Sequence, residues 1–327
     1  MLENPQEMRL LTNDLGVAVW TATAIGALYE SGLAEHLREP RSIDELASRC
    51  RSLSRGQIER CLAVAETAGV VVADGPQRRL APGALAFVQQ PMNAALTGEI
   101  RSNLMQAVAF LDASRAERER PTTGWTHADP ALLQAQGDSS AVMAFMMKMQ
   151  VLPALEGLGE RLERPGARFL DVGAGVGGLA IAMCRAFPQL SILGVDVLDT
   201  PLAIAKKNVT NAGLVERIEL RKQAVEDLRE ESAFDAAWLP GFFVPTAAAA
   251  ATRIHAALRP GGWLLFGVAG WPADPKRRAV WSLINELWGG VSSPPAEGEA
   301  ILREAGFSVV RTLPGPEWAP SLVVGQR

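Results

Sequence analysis

The stretch Phe169-Leu170-Asp171-Val172-Gly173-Ala174-Gly175-Val176-Gly177-Gly178-Leu179 constrains this chain more than any other. An apolar run ends in an acid, and four glycines then fall within six residues. A helix-like segment, Leu179 to Phe187, follows and is closed by Pro188. The order is that of a buried strand, a tight turn and a helix N-terminus. Glycine allows the turn and allows a ligand to approach the backbone, because no Cβ intervenes. The helix start adds free N–H groups and a positive dipole end. Such a turn suits a nucleoside-type cofactor held at the edge of a parallel sheet. The spacing of Gly173, Gly175 and Gly178 also satisfies G-x-G-x-x-G, which fits NAD or FAD, or a turn that binds nothing.

From Ala167 onward strands and helices alternate. Strands are expected at Arg168–Val172, Ser191–Asp196, Arg217–Arg221, Ala233–Leu239 and Trp263–Val268. Helices are expected between them at Gly177–Phe187, Pro201–Ala212 and Thr246–Leu258, then at Lys276–Leu287 and Ala296–Glu304. Two short runs, Phe307–Thr312 and Ser321–Gly325, have no helix between them and suit an antiparallel pair. The alternation implies a mostly parallel sheet with helices on both faces.

The N-terminal third reads differently. Apolar residues at helical spacing run from about 12 to 38, broken by Gly32. Ser42 and Glu45 have capping-box spacing ahead of a second helix, and a third spans Ser54–Ala68. Val70–Asp74 and the run from Arg78 to Pro82 flank Asp74-Gly75, a hairpin signal. Three helices and a hairpin make a winged-helix-like pattern. Residues 92–165 read as mostly helical, interrupted by a polar, turn-rich interval from Arg120 to Pro130 that holds Trp125, His127 and Asp129. The expected division is therefore 1–100, a helical segment 101–164 and an α/β domain 165–327.

With 32 Lys+Arg against 36 Asp+Glu, the net charge of −4 weighs against a nucleic-acid partner and against DNA reading by the winged helix. Cys50, Cys61 and Cys184 have no metal-ligand spacing, so no metal site is expected. The N-terminus lacks signal-peptide features and no apolar run reaches membrane length, which leads to an expected cytoplasmic, membrane-free protein.

The second strand ends in Gly194-Val195-Asp196, an acid placed for ribose hydroxyls. With the glycine turn and with Ala257-Leu258-Arg259-Pro260-Gly261-Gly262-Trp263 ahead of strand five, the chain resembles the class I S-adenosylmethionine-dependent methyltransferases over residues 165–327. Together with the N-terminal pattern it is similar to the small-molecule O-methyltransferases, whose N-terminal domain dimerises. That resemblance implies a seven-stranded Rossmann-like sheet. It also implies S-adenosylmethionine as cofactor, S-adenosylhomocysteine as product, a small-molecule acceptor and a homodimer.

Carried onto this sequence, the resemblance puts Asp171, Gly173 and Gly175 around the methionine moiety, Asp196 on the ribose and Val197 against the adenine. Ala224 and Val225 should flank the adenine edge. Where the family often has an acid the chain has Ala224, leaving that contact to Glu226, Asp227 or backbone. Leu239, Pro240, Phe242 and Phe243 should line the floor near the reactive methyl. Phe145 and Met149 match a Phe and Met beside cofactor and substrate. Met146 belongs to the Met-rich run Met143–Met149, which reads as adaptable core, as a pocket wall, or as both. Trp125 is a further wall candidate.

The plant-type relatives carry a general-base histidine after strand four, where this chain has Phe242-Phe243-Val244-Pro245. Of His36, His127 and His255, only His127 lies in a loop suited to a catalytic role. The missing histidine favours an acceptor that is already anionic or intrinsically nucleophilic. Two other readings stay open: an enzyme of the same fold that binds the cofactor without methylating, and a ligand-sensing winged-helix regulator.

Overall fold

A computed structural model describes residues 3–115, 125, 127–244, 246–268, 272–289, 294–313 and 321–327. The chain forms two compact units, Met1–Val108 and Ala109–Arg327. The segment expected at 101–164 is thus divided: its first residues lie on the helix Met92–Ala113, and the rest belongs to the second unit.

In the first unit the opening helix is longer than expected. It spans Pro5–Glu30, because Asn4 caps it by accepting from the N–H groups of Gln6 and Glu7 and Pro5 fits the first turn. Gly32 breaks it in the left-handed conformation. The short helix Leu33–His36 leads to strand β1 (Arg41–Ser42). Helices Ile43–Arg49 and Arg55–Thr67 both start with capping boxes, on Ser42/Glu45 and Ser54/Gln57. Strands β2 (Val71–Asp74) and β3 (Gln77–Leu80) form the hairpin, and the three strands lie in the order β1-β3-β2.

The second unit is a seven-stranded sheet. Its strands are β4 (Arg168–Val172), β5 (Ser191–Asp196), β6 (Ile218–Lys222), β7 (Phe234–Pro240), β8 (Leu258–Val268), β9 (Val309–Leu313) and β10 (Ser321–Gln326). The order is β6-β5-β4-β7-β8-β10-β9. The first five are parallel, and β10 runs antiparallel to both neighbours. One difference from the expected pattern concerns residues 258–262. They do not form a turn ahead of the fifth strand but join it, with a register irregularity opposite Phe234–Ala236 and Gly261 at φ 73°. Gly261 N–H is paired with the Arg327 carbonyl, so the C-terminus stitches this bend.

Alternation along the strands separates two cores. Phe169, Ala236, Trp238 and Leu265 pack with the helices Leu158–Glu163 and Gly178–Ala186 on one face. Leu170, Leu193, Leu239 and Phe266 pack with the helices Ala247–Ala257 and Pro295–Glu304 on the other. The order reverses between β4 and β7, next to the glycine turn, which is where open α/β sheets bind ligands.

At the opposite end of β7, Asp235 is wholly buried. It accepts from Arg164, Arg259 and the Arg168 N–H, with Arg161 3.8 Å away. Removing one member of a buried ion cluster leaves the others uncompensated, a loss of roughly 3 kcal/mol or more. Asp235→Ala is expected to destabilise the second unit by about 3 kcal/mol in urea unfolding followed by tryptophan fluorescence. A shift near zero would show that water takes over the arginines.

Candidate cofactor and acceptor site

The glycine turn is built by its neighbours. Gly173 and Ala174 N–H both donate to the Val195 carbonyl, at 2.9 and 3.0 Å. Gly175 adopts φ 54° and donates its N–H to Asp196 Oδ2 at 2.9 Å. Leu198 N–H donates to Asp196 Oδ1, also at 2.9 Å. Asp196 is thus oriented by two backbone donors on opposite oxygens. A Cβ on Gly178 would lie 1.9 Å from the Gly137 carbonyl, and one on Gly137 would lie 2.0 Å from Val176 Cγ2. The helix Pro130–Ser140 therefore packs directly on the turn, capped at its start by Asp129. Asn208 Nδ2 donates to Val176 O and Gln134 Oε1, both at 2.9 Å, and closes this frame.

Asp171 sits beside Asp196 with its side chain buried, and its Oδ2 has no hydrogen-bond partner among the described residues. Burial, and then the neighbouring Asp196 charge, push its carboxyl up to about 7. Asp196 is also raised by burial, held back by its backbone donors. A buried oxygen without a donor is costly and marks a place where a donor is to be supplied.

The remaining sequence-expected residues fall into three groups. Pro240 bounds the turn, with Cγ 3.4 Å from where a Gly173 Cβ would be. Val197 is 58% exposed beside Asp196, open to a ring laid upon it. Ala224 precedes the short turn Val225–Asp227, tied in by Gln223 N–H on the Asp196 carbonyl at 2.9 Å. In contrast, Val225 and Leu239 bury their side chains in the core of the other sheet face, so only their backbones remain to meet a ligand. Glu226, one alternative at the adenine edge, accepts from Thr246 Oγ1.

Aromatic rings cluster after the end of β7. Phe242 and Phe243 have centroids 4.6 Å apart, Phe243 and Trp288 4.8 Å, Phe242 and Trp288 5.8 Å, and Trp125 lies 5.4 Å from Phe243. His127 reaches the cluster through Trp125, at 4.9 Å, and burial holds its imidazole below the ordinary value. Phe145 and Met149 are 45% and 60% exposed, while Met146 is buried. Their expected one-face helical spacing is interrupted, because Met147–Val151 is a π-helical turn in which Leu152 N–H reaches the Met147 carbonyl. Pro153 follows at once and cannot donate to a regular helix. Val244, at the position of the family's histidine, is partly buried against the core, and His255 packs on Phe307 and Gly306, away from these rings.

Sequence reasoning missed Trp281, Asn285 and Trp288. They are spaced four and three apart on one face of the helix Pro275–Leu287 and its cap, a stripe that was legible. It also missed Gly137, although a lone glycine in a helical pattern signals close approach.

Residues 169–262 match the family model of the methyltransferase domain. Residues 169–262 form a methyltransferase domain. This methyltransferase domain is 36% identical over 87 residues to the release factor glutamine methyltransferase of Rhodopirellula baltica, covering 26% of the present chain and 29% of that one. The chain spans less than two thirds of the length of the curated relatives it matches. Across its full length the fold is similar to human N-acetylserotonin methyltransferase in complex with SAM, with TM-score 0.64, 18% identity and coverage of 100% and 99%. It is also similar to an O-methyltransferase family protein from Burkholderia thailandensis, with TM-score 0.62, 17% identity and coverage of 100% and 99%. No helix among the described residues is long and apolar enough to cross a membrane. None of their His, Cys, Asp and Glu side chains form a group able to hold a metal ion.

The raised Asp171 carboxyl has a definite consequence for stability. The folded, ligand-free methyltransferase domain keeps this proton up to about pH 7, whereas the unfolded chain releases it near 3.8. Folded protein therefore binds more protons in that window, and stability falls as pH rises through it. Asp171→Asn is expected to be more thermostable than the parent at pH 8, with a smaller difference at pH 4.5. Equal differences at both pH values would mean that Asp171 ionises like an exposed carboxyl.

Proposed function

We propose that this protein transfers a methyl group from S-adenosylmethionine to a small, flat, apolar or aromatic metabolite, most simply at oxygen. The observation that carries the reading is the pairing of Asp196, oriented by the turn it caps, with the donor-deficient, buried Asp171. The cofactor is rich in matching donors: an ammonium group and two ribose hydroxyls. Asp196 would take the ribose, Asp171 the methionine end, and Val197 the adenine face. Gly173 and Gly175 leave the backbone open at the turn. When bound, the cofactor supplies an electrophilic sulfonium methyl.

The residues of this chain then do three things. The turn and the two acids fix one reactant. Phe242, Phe243 and Trp288, with the exposed Phe145 and Met149 and the buried Met146, would orient a flat second reactant and exclude water. Holding two reactants in line can lower the barrier by roughly 7–11 kcal/mol. His127, neutral at pH 7, is placed to accept a proton, but an already acidic acceptor needs little such help. The lining favours a small molecule of secondary-metabolite type over a protein or nucleic acid. The two small-molecule-type structures named above support the same choice.

The first unit reads as a winged-helix-like dimerisation platform for a homodimer. Its helix Pro5–Glu30 leaves Leu10, Leu15, Val17 and Trp20 exposed, Trp20 by 72%, an apolar face larger than a lone monomer keeps open. Light scattering is expected to show a dimer for the parent and a monomer for Trp20→Glu. A monomeric parent would remove the dimer from the reading.

For the reaction itself, calorimetry with S-adenosylmethionine and S-adenosylhomocysteine is expected to show binding that Asp196→Ala abolishes. A flat-acceptor screen should release S-adenosylhomocysteine. His127→Ala is expected to keep kcat within about tenfold, since a true general base contributes about 10²–10⁴-fold. A larger loss, together with an activity limb near the His127 pKa, would make His127 the base. Absence of cofactor binding in the parent would end the methyltransferase reading.

A further inference from the structure

Two buried hydrogen-bond donors, one in the aromatic wall and one on the helix that carries Trp281, go unused among the described residues. Trp125 Nε1 and Asn285 Nδ2 are buried and have no partner among the described residues. Asn285 is 1% exposed. Trp125 lies 6.4 Å from Trp288, and Asn285 stands between Trp281 and Trp288 in the spacing of one helical face. On that face Trp281 lies 6.1 Å from Trp288. An unpaired buried amide and indole N–H each carry a desolvation cost. A ligand oxygen that accepts from them removes that cost, and a site built to hydrogen-bond such an atom discriminates strongly against analogues lacking it.

Both donors are neutral, and the adjacent titratable group, His127, is itself held neutral by burial. A neutral pair in an apolar cage suits a carbonyl oxygen rather than an isolated carboxylate, which would lack a cation in a dry site. Donors aimed at a ring carbonyl do more than anchor it. When a ring hydroxyl is conjugated to that carbonyl, loss of the hydroxyl proton spreads negative charge onto the carbonyl oxygen. Fixed donors there stabilise the charge that develops. They make the hydroxyl more acidic without touching it, because hydrogen bonds to the charged form favour that form.

Resting on the methyltransferase reading above, we infer that Trp125 and Asn285 bind the carbonyl of a planar acceptor whose methylated hydroxyl is conjugated to it. The pair thus takes the place of a general base. In the balanced step the hydroxyl proton leaves to water or His127. The oxygen lone pair forms the new O–C bond as the S–C bond breaks, and that electron pair stays on sulfur. Trp125 and Asn285 are positioning residues here: they touch the acceptor but exchange no atom with it.

The test uses 7-hydroxycoumarin, whose phenol and phenolate absorb at different wavelengths, and 2-naphthol, which has the hydroxyl but no carbonyl. Each is titrated with pH in the full-length protein in the presence of S-adenosylhomocysteine, whose own binding is measured separately by calorimetry. The parent is expected to shift the bound coumarin toward phenolate by about tenfold or more, the least that one hydrogen bond to charge contributes, and to leave 2-naphthol unshifted. Trp125→Phe and Asn285→Leu, each retaining S-adenosylhomocysteine affinity, are expected to abolish the shift while still binding 2-naphthol. An unshifted coumarin in the parent, an equal shift with 2-naphthol, a shift that survives both substitutions, or failure of the coumarin to bind would each overturn the proposal. Loss of S-adenosylhomocysteine binding in the parent would instead strike at the cofactor reading.

Discussion

Two carboxylates at the carboxyl ends of adjacent parallel strands govern the construction of the second unit. Asp171 closes on the end of β4 and Asp196 on the end of β5, where water is largely excluded. Burying two like charges side by side is unfavourable unless donors are brought to them or protons stay on. The turn brings donors to Asp196 only, through the N–H groups of Gly175 and Leu198. Aiming the Gly175 N–H requires φ 54°, a conformation open to glycine at little cost. Gly194 in the middle of β5 follows from the same constraint, since a Cβ there would meet Ala174 at 2.9 Å. Gly178 and Gly137 follow in turn, because the turn is pressed from outside by a helix. The glycines thus record what must come close to what.

The same sheet treats a third buried acid in the opposite way. Asp235, at the other end of β7, is surrounded by arginines and a backbone N–H. Nothing is left for a ligand to supply. Asp171 shares its burial but keeps an oxygen without a donor. The contrast separates a carboxylate that ties the fold from one that waits for a partner, and burial alone could not make that distinction. What matters is the accounting of donors around each oxygen.

Much of this was legible in residue order. Period-two strands, the acid-glycine turn, the acid closing β5 and the two capping-box serines specify local structure through short-range physics, so β4, β5, β7 and the helices between them lie where expected. The residues of the candidate cofactor half were legible for the same reason, since they stand at strand ends. Departures occurred where tertiary contacts decide. Residues 258–262 look like a turn, yet pairing with Arg327 holds them in the strand. The Met-rich run looks like one regular helix, yet Met147–Val151 forms a π-turn before Pro153. The side chain of Leu239 goes to the core because the alternation of β7 carries it to the far face, and that of Val225 is buried in the same core from the short turn after β6. The acceptor wall was the least legible part, since Trp125 and Trp288 are 163 positions apart and meet only through the fold.

The two halves of the site also differ in charge, and the difference bears on the chemistry. The half proposed for the cofactor is acidic, and the half proposed for the acceptor is aromatic with neutral donors. A methyl passing from a sulfonium to an oxygen anion cancels charge, a step that a low-dielectric wall favours and that nearby fixed charges would distort. A carboxylate base at the acceptor would stabilise the sulfonium before transfer and hold the reactants back. Neutral donors on the remote oxygen of a conjugated acceptor avoid that conflict. They draw the acceptor toward its anionic form while leaving the reacting pair in a dry environment. A wall of Phe242, Phe243, Trp125 and Trp288 with Val244 in place of a histidine is therefore a coherent solution rather than a site lacking a part.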